Sequence, residues 1–95
     1  MGRIKISPEQ VRSVAGQFRS KSQESGAMVQ QLSSAVKGLE ADWEGMSAQR
    51  FYGDFQQWQQ QMNKYVELLA GISGELERVA NTIEQTDQQL ASSAR

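Results

Sequence analysis

Eleven carboxylates are the main acid–base groups this 95-residue chain can offer, because it contains neither His nor Cys. That removes the commonest general base near neutral pH, the thiolate nucleophile and the soft metal ligands. A pair of carboxylates could still act as general acid and base if a cleft enclosed them. Here the acidic residues fall mainly on the polar faces of amphipathic stretches, as solvated charges do, and no pair is placed in an evident cleft. There is no glycine-rich phosphate loop, no calcium-loop spacing and no nucleophile beside a base. The expectation is therefore no enzyme, no cofactor and no metal, and a chain whose product is a surface. Ten basic residues against the eleven acidic ones leave no basic excess for a nucleic acid. No apolar run approaches a membrane span, and Met1-Gly2-Arg3-Ile4-Lys5 leads into no hydrophobic signal core, so export would need a route without a cleaved signal peptide.

The surface must be carried by helices, since the single Pro, Pro8, leaves the rest of the chain free to be helical. Ser7-Pro8-Glu9-Gln10 is a start signal: a capping Ser, Pro at the first helical position, an acid at the positive dipole end, and Gln to complete a capping box. From Val11 the stripe Ala15, Phe18, Ser22, Ser25, Val29, Leu32, Val36 and Leu39 alternates steps of four and three, predicting a first helix over about 8–40. Ala48, Phe51, Phe55, Trp58, Met62, Tyr65, Leu69, Ile72, Leu76, Val79, Ile83, Thr86 and Leu90 do the same for a second helix over about 47–90, capped by Ser47, with a tail over 91–95. Between them Trp43-Glu44-Gly45 is the expected turn, with Gly45 reversing the chain and Trp43 covering the hairpin end near Leu39 and Phe51.

The two stripes fit one another in a single antiparallel register. Leu39 falls opposite Ala48, Leu32 opposite Phe55, Ser22 opposite Tyr65, Ala15 opposite Ile72 and Val11 opposite Leu76, each pair having the same sum of residue numbers. The hairpin also lays the basic segment holding Arg3, Lys5, Arg12, Arg19 and Lys21 against Glu9 beside the acidic one holding Glu67, Glu75, Glu77, Glu84 and Asp87 against Arg78 and Arg95. The expected fold is an all-α, antiparallel helix-turn-helix hairpin in one domain over 1–95.

One hairpin does not use all its apolar residues. Val14, Met28 and Ala35 form a second strip on the first helix, and Tyr52, Val66 and Ala80 one on the second. Two helices of this size make a thin core, and pairing two hairpins into a four-helix bundle would cover both strips. These six residues are the expected dimer interface, with a second copy as the expected partner and a paralogue as the alternative, since a stripe does not name its mate. Gly16, Gly26, Gly53, Gly71 and Gly74 lie inside predicted helices, either at close helix approaches or at tolerated exposed sites. The second helix also outruns the first past about Leu76 to Val79, where only a short extended lead segment with Ile4 and Ile6 is there to pack against it, leaving an amphipathic end for another chain or a receptor.

With two long helices, about a hundred residues and a central Trp-X-Gly, the chain resembles the WXG family of small Esx-type proteins exported by type VII secretion systems. The resemblance spans the whole chain, with Trp43 and Gly45 supplying the signature. It implies a hairpin that dimerises head to tail and leaves the cytoplasm folded, without a cleaved signal peptide. It also implies a C-terminal export signal, for which Ile83, Asp87, Leu90 and Ala94 have the family's spacing, with Ile in place of the Tyr found in many relatives. A membrane-bound FtsK/SpoIIIE-type ATPase would read this signal near the partner's turn. On this basis the chain is expected to be a secreted substrate; the alternative is a chaperone or adaptor co-exported with a larger effector. Removing everything after Val79 is then expected to stop export and spare the dimer. A membrane is not required, as no strongly cationic amphipathic face is present.

Overall fold

In the computed structural model, which describes residues 6–93, α1 spans Pro8–Leu39 and α2 spans Met46–Ser93. The start of α1 is the one its sequence specifies. The Gln10 amide donates to Ser7 Oγ at 3.2 Å and the Ser7 amide donates to Gln10 Oε1 at 2.9 Å, closing the capping box, with Pro8 at the first position and Glu9 in the first turn. At its end the Leu39 carbonyl accepts from the amides of Asp42 and Trp43 at 3.1 and 2.9 Å, so the chain closes one further turn before reversing. Gly45 has φ 104°, a conformation that L side chains rarely adopt, and its carbonyl accepts the first bond of α2 from the Gln49 amide at 3.0 Å. Gly45 therefore occupies the position before α2. Ser47, expected as the cap, lies inside the helix.

The helices pack antiparallel close to the expected register. Ser22 Oγ donates to the Val66 carbonyl at 2.9 Å and Ser73 Oγ to the Ala15 carbonyl at 2.8 Å, each one residue from the expected partner. These bonds mark a seam of small side chains. Ala15, Ser22, Ala48, Ser73 and Ala80 are buried, joined by Val11, Val29, Leu69 and Ile83. On α2 the seam follows Ala48, Tyr52, Phe55, Gln59, Met62, Val66, Leu69, Ser73, Leu76, Ala80 and Ile83, steps of four and three that leave out Phe51, Trp58, Tyr65, Ile72 and Val79. Small residues let the backbones approach, and the bulkiest members of the expected stripe are turned to its flank. Leu32 and Leu39 of α1 are displaced in the same way and are exposed.

The result is a rod of 76 × 21 × 15 Å with a radius of gyration of 21.5 Å, against about 12 Å for a compact domain of this length. No large side chain is fully buried among the described residues. Of the helical glycines only Gly26 faces the other helix, with Val66 Cγ1 3.9 Å from where a Cβ would stand; Gly16, Gly53, Gly71 and Gly74 have open space there. Close helix approach therefore does not explain those four. Gly53 and Gly71 are exposed, on the outer line of α2 with Gln57, Gln60, Lys64 and Glu67. Replacing either by Ala should raise the free energy of unfolding by about 1 kcal/mol, measured by urea titration at fixed chain concentration; no gain, or a loss, would show that the outer line is in contact with something.

Candidate interaction surfaces

The turn is an aromatic knot. Trp43 packs on Phe51 with ring centroids 5.4 Å apart and edge-on to Tyr52 at 5.7 Å, and Phe51 reaches Phe55 and Trp58 at 6.2 and 6.1 Å. The Tyr52 hydroxyl donates to the Trp43 carbonyl at 3.3 Å. Burial, with the Glu40 carboxylate adding to it, pushes the Tyr52 pKa up, so the hydroxyl keeps its proton and its bond well past neutral pH. Trp43 and Gly45, predicted as the turn, thus have distinct jobs: Gly45 supplies the backbone angle and Trp43 anchors the reversal on α2. Met46 projects beside them, 89 % exposed.

The hairpin has two unlike faces. On one, Phe18, Ser25 and Met28 of α1 border grooves with Trp58, Met62, Tyr65 and Leu69 of α2. Val14, Leu32, Ala35 and Leu39 continue the α1 line by spacing, with Lys21, paired to Glu24, as the one charge on it, and Ile72 and Val79 continue that of α2. Trp58 is 49 % exposed here, and Val14, Met28, Leu32, Tyr65 and Val79 are exposed as well. The opposite groove is bordered by Gln23, Gly26, Ala27, Gln30, Gln59 and Asn63. Val14, Met28 and Ala35, expected at a dimer interface, are on the apolar side and exposed. Tyr52, Val66 and Ala80 are not outward residues, because the seam takes them. Ala80 is 0 % exposed against Val11 and Ile83, and Tyr52 and Val66 are half-buried. Trp58 and Tyr65, like Leu32, Leu39 and Val79, are outward residues that sequence reasoning missed, although the seven-residue spacing of Trp58 and Tyr65 with Phe51 and Ile72 was an available signal.

At the free end, Val11, Leu76, Ala80 and Ile83 pack together, so α1 and α2 stay in contact further than Leu76 to Val79. Arg12 closes this end: its guanidinium donates to Glu84 Oε1 at 3.0 Å and Oε2 at 3.3 Å, and to Asn81 Oδ1 at 2.8 Å. It is the one ion pair between the helices among the described residues, the other two being local, Lys21 with Glu24 and Arg78 with Glu75. The hydrogen bond from Arg12, and then its charge, hold the Glu84 carboxyl below the ordinary carboxylate range. A lowered carboxyl favours the folded state above its ordinary pKa, and that contribution is lost as pH falls through the lowered value.

Of the four residues matching an export spacing, Ile83 is 7 % exposed and belongs to the seam. It is not available to a receptor while the hairpin is packed. Asp87 is exposed and Leu90 is 64 % exposed, on the stretch of α2 that follows Glu84. Ala94, like the Ile4 of the lead segment, lies outside the described residues.

This hairpin has close counterparts. Its fold matches a secreted protein EsxB from Bacillus anthracis with a TM-score of 0.81 and 36 % identity, covering 92 % of this chain and 99 % of that one. It matches EsxA from Geobacillus thermodenitrificans with a TM-score of 0.84 and 31 % identity, over 95 % of this chain and 99 % of the other. In sequence it is 34 % identical over 94 residues to protein YukE of Bacillus subtilis, spanning 99 % of this chain and 97 % of that protein. It is 32 % identical over 91 residues to the type VII secretion system extracellular protein A of Staphylococcus aureus, spanning 96 % and 94 %. The model of proteins of 100 residues with Trp-X-Gly covers residues 3–88, taking in α1, the knot at Trp43 and Gly45 and α2 up to Gln88, and this chain belongs to that family, WXG100.

Proposed function

We propose that the chain is a small secreted substrate of a bacterial type VII secretion system, exported folded and paired with a second copy of itself. The observation that carries the reading is the pair of unsatisfied surfaces on one rod, an apolar face and a free helical end. The hairpin exposes 7572 Å², where a compact monomer of this size exposes about 5,500 Å². The excess is roughly 2,000 Å² per chain, or about 4,000 Å² for two, within the range that obligate homodimer interfaces remove. The names of the S. aureus and B. anthracis relatives, an extracellular protein of a type VII system and a secreted protein, support the export half.

On this reading the apolar face is covered by a second hairpin, giving a four-helix bundle. The end of α2 past Glu84, with Asp87 and Leu90, docks on a secretion ATPase of the FtsK/SpoIIIE type. A helix presenting one apolar side chain and one carboxylate on the same side suits a groove with an apolar floor and a basic rim. The test is the culture medium of the producing bacterium with and without that ATPase. Loss of the protein from the medium with a retained cellular pool is expected; equal amounts in both media would sink the proposal.

A further inference from the structure

Among the described residues, no hydrogen bond or ion pair joins α2 beyond Glu84 to α1, so its last turns rest on their own backbone ladder. Thr82 and Thr86 bond back to the carbonyls of Arg78 and Thr82 at 3.0 and 2.9 Å, which competes mildly with the helix ladder. The last turn of α2 carries no basic residue to offset its dipole. Yet α2 continues from Glu84 to Ser93, about 13 Å further at 1.5 Å per residue. A helical end of this kind frays back to its last fixed point, and among the described residues the last bond between the helices is that of Arg12.

We infer that Arg12 is the positioning residue for the free end of α2: gripping Glu84 with two nitrogens and Asn81 with one of them, it holds the helix wound and aimed past α1. The planar guanidinium suits the task, because a bidentate grip fixes direction as well as distance, which a lysine ammonium does not. The Glu9 and Glu77 carboxylates also face Arg12, so its removal takes away the one ion pair that joins the helices among the described residues. The grip lies one helical turn before Asp87 and two before Leu90, so it sets where both side chains point without touching either. Its consequence for export rests on the proposed docking of that end.

Amide hydrogen exchange of the full chain, read segment by segment, tests this. Arg12→Ala and Glu84→Ala should each speed exchange beyond residue 84 roughly two- to fivefold and leave the Ser22–Ser33 segment unchanged. The double variant should be no faster than Arg12→Ala alone, and Arg12→Lys should fall between Arg12→Ala and the parent. Unchanged exchange at the free end, equal acceleration along both helices, or additive effects of the two substitutions would overturn the inference. Secretion is scored separately. Faster exchange with reduced secretion supports both the grip and the docking, whereas faster exchange with undiminished secretion supports the grip and removes the docking reading.

Discussion

Met28→Glu should leave a folded hairpin that no longer finds its partner. In a single chain Met28 is half exposed beside Trp58 and Tyr65, so a glutamate there keeps its carboxylate in water and the seam is untouched. Against a second apolar face the same carboxylate is buried without a counter-charge, which costs several kcal/mol. A loss of about 3 kcal/mol raises the dissociation constant roughly a hundredfold. Gln30→Glu adds the same charge on the opposite face, among Gln23, Gln59 and Asn63, and should leave association as it was. Sedimentation across a concentration series separates the two. Association of Met28→Glu equal to that of the parent would mean that the apolar face is not where the copies meet.

The second large effect concerns the free end of α2. Asp87→Ala and Leu90→Ser should each cut secretion at least tenfold while helicity and melting stay with the parent. Both side chains are exposed, beyond the seam, so neither substitution opens a cavity. A deletion must be placed with the seam in view. Ending the chain after Val79 would remove Ala80 and Ile83 from their packing against Val11, and any export defect would then be a folding defect. Ending it after Gln85 keeps the seam and the Arg12 grip and removes only the exposed end. Ile83→Ala is the instructive contrast, since it should cost about 2–4 kcal/mol of stability as a buried large-to-small change. Normal secretion of Asp87→Ala and of the chain ending at Gln85 would rule out the end of α2 as an export determinant.

Helix identity and ends are legible in the sequence because they rest on local chemistry. Ser7, Pro8 and Gln10 act within one turn, and the Trp43–Gly45 reversal falls where the two stripes meet. Register is legible too, to within one residue, because constant-sum pairing uses every turn of both helices. Facing is where the stripe misleads. Phe51 and Tyr52, Tyr65 and Val66, and Val79 and Ala80 are neighbours about 100° apart around α2. Hydrophobicity alone favours the bulkier or more apolar member of each pair for the core. What settles the choice is how closely the backbones approach, and the Ser22 and Ser73 bonds to opposite carbonyls show that they approach across small residues. The Arg12 grip could be foreseen only as a charge preference, because its geometry depends on how far the helices stay together at the open end.

The seam of small side chains also makes the amount of protein matter. A hairpin that buries no large side chain completely holds little of its own stability, so on the proposed pairing the rest is supplied by mass action. The unfolding midpoint would then climb with chain concentration. A cell making few copies would hold mostly lone, easily opened rods, exposed to proteases, while one making many would hold durable pairs. Supply of export-ready material would rise more steeply than synthesis itself, giving a dosage threshold set by how thinly one seam is packed.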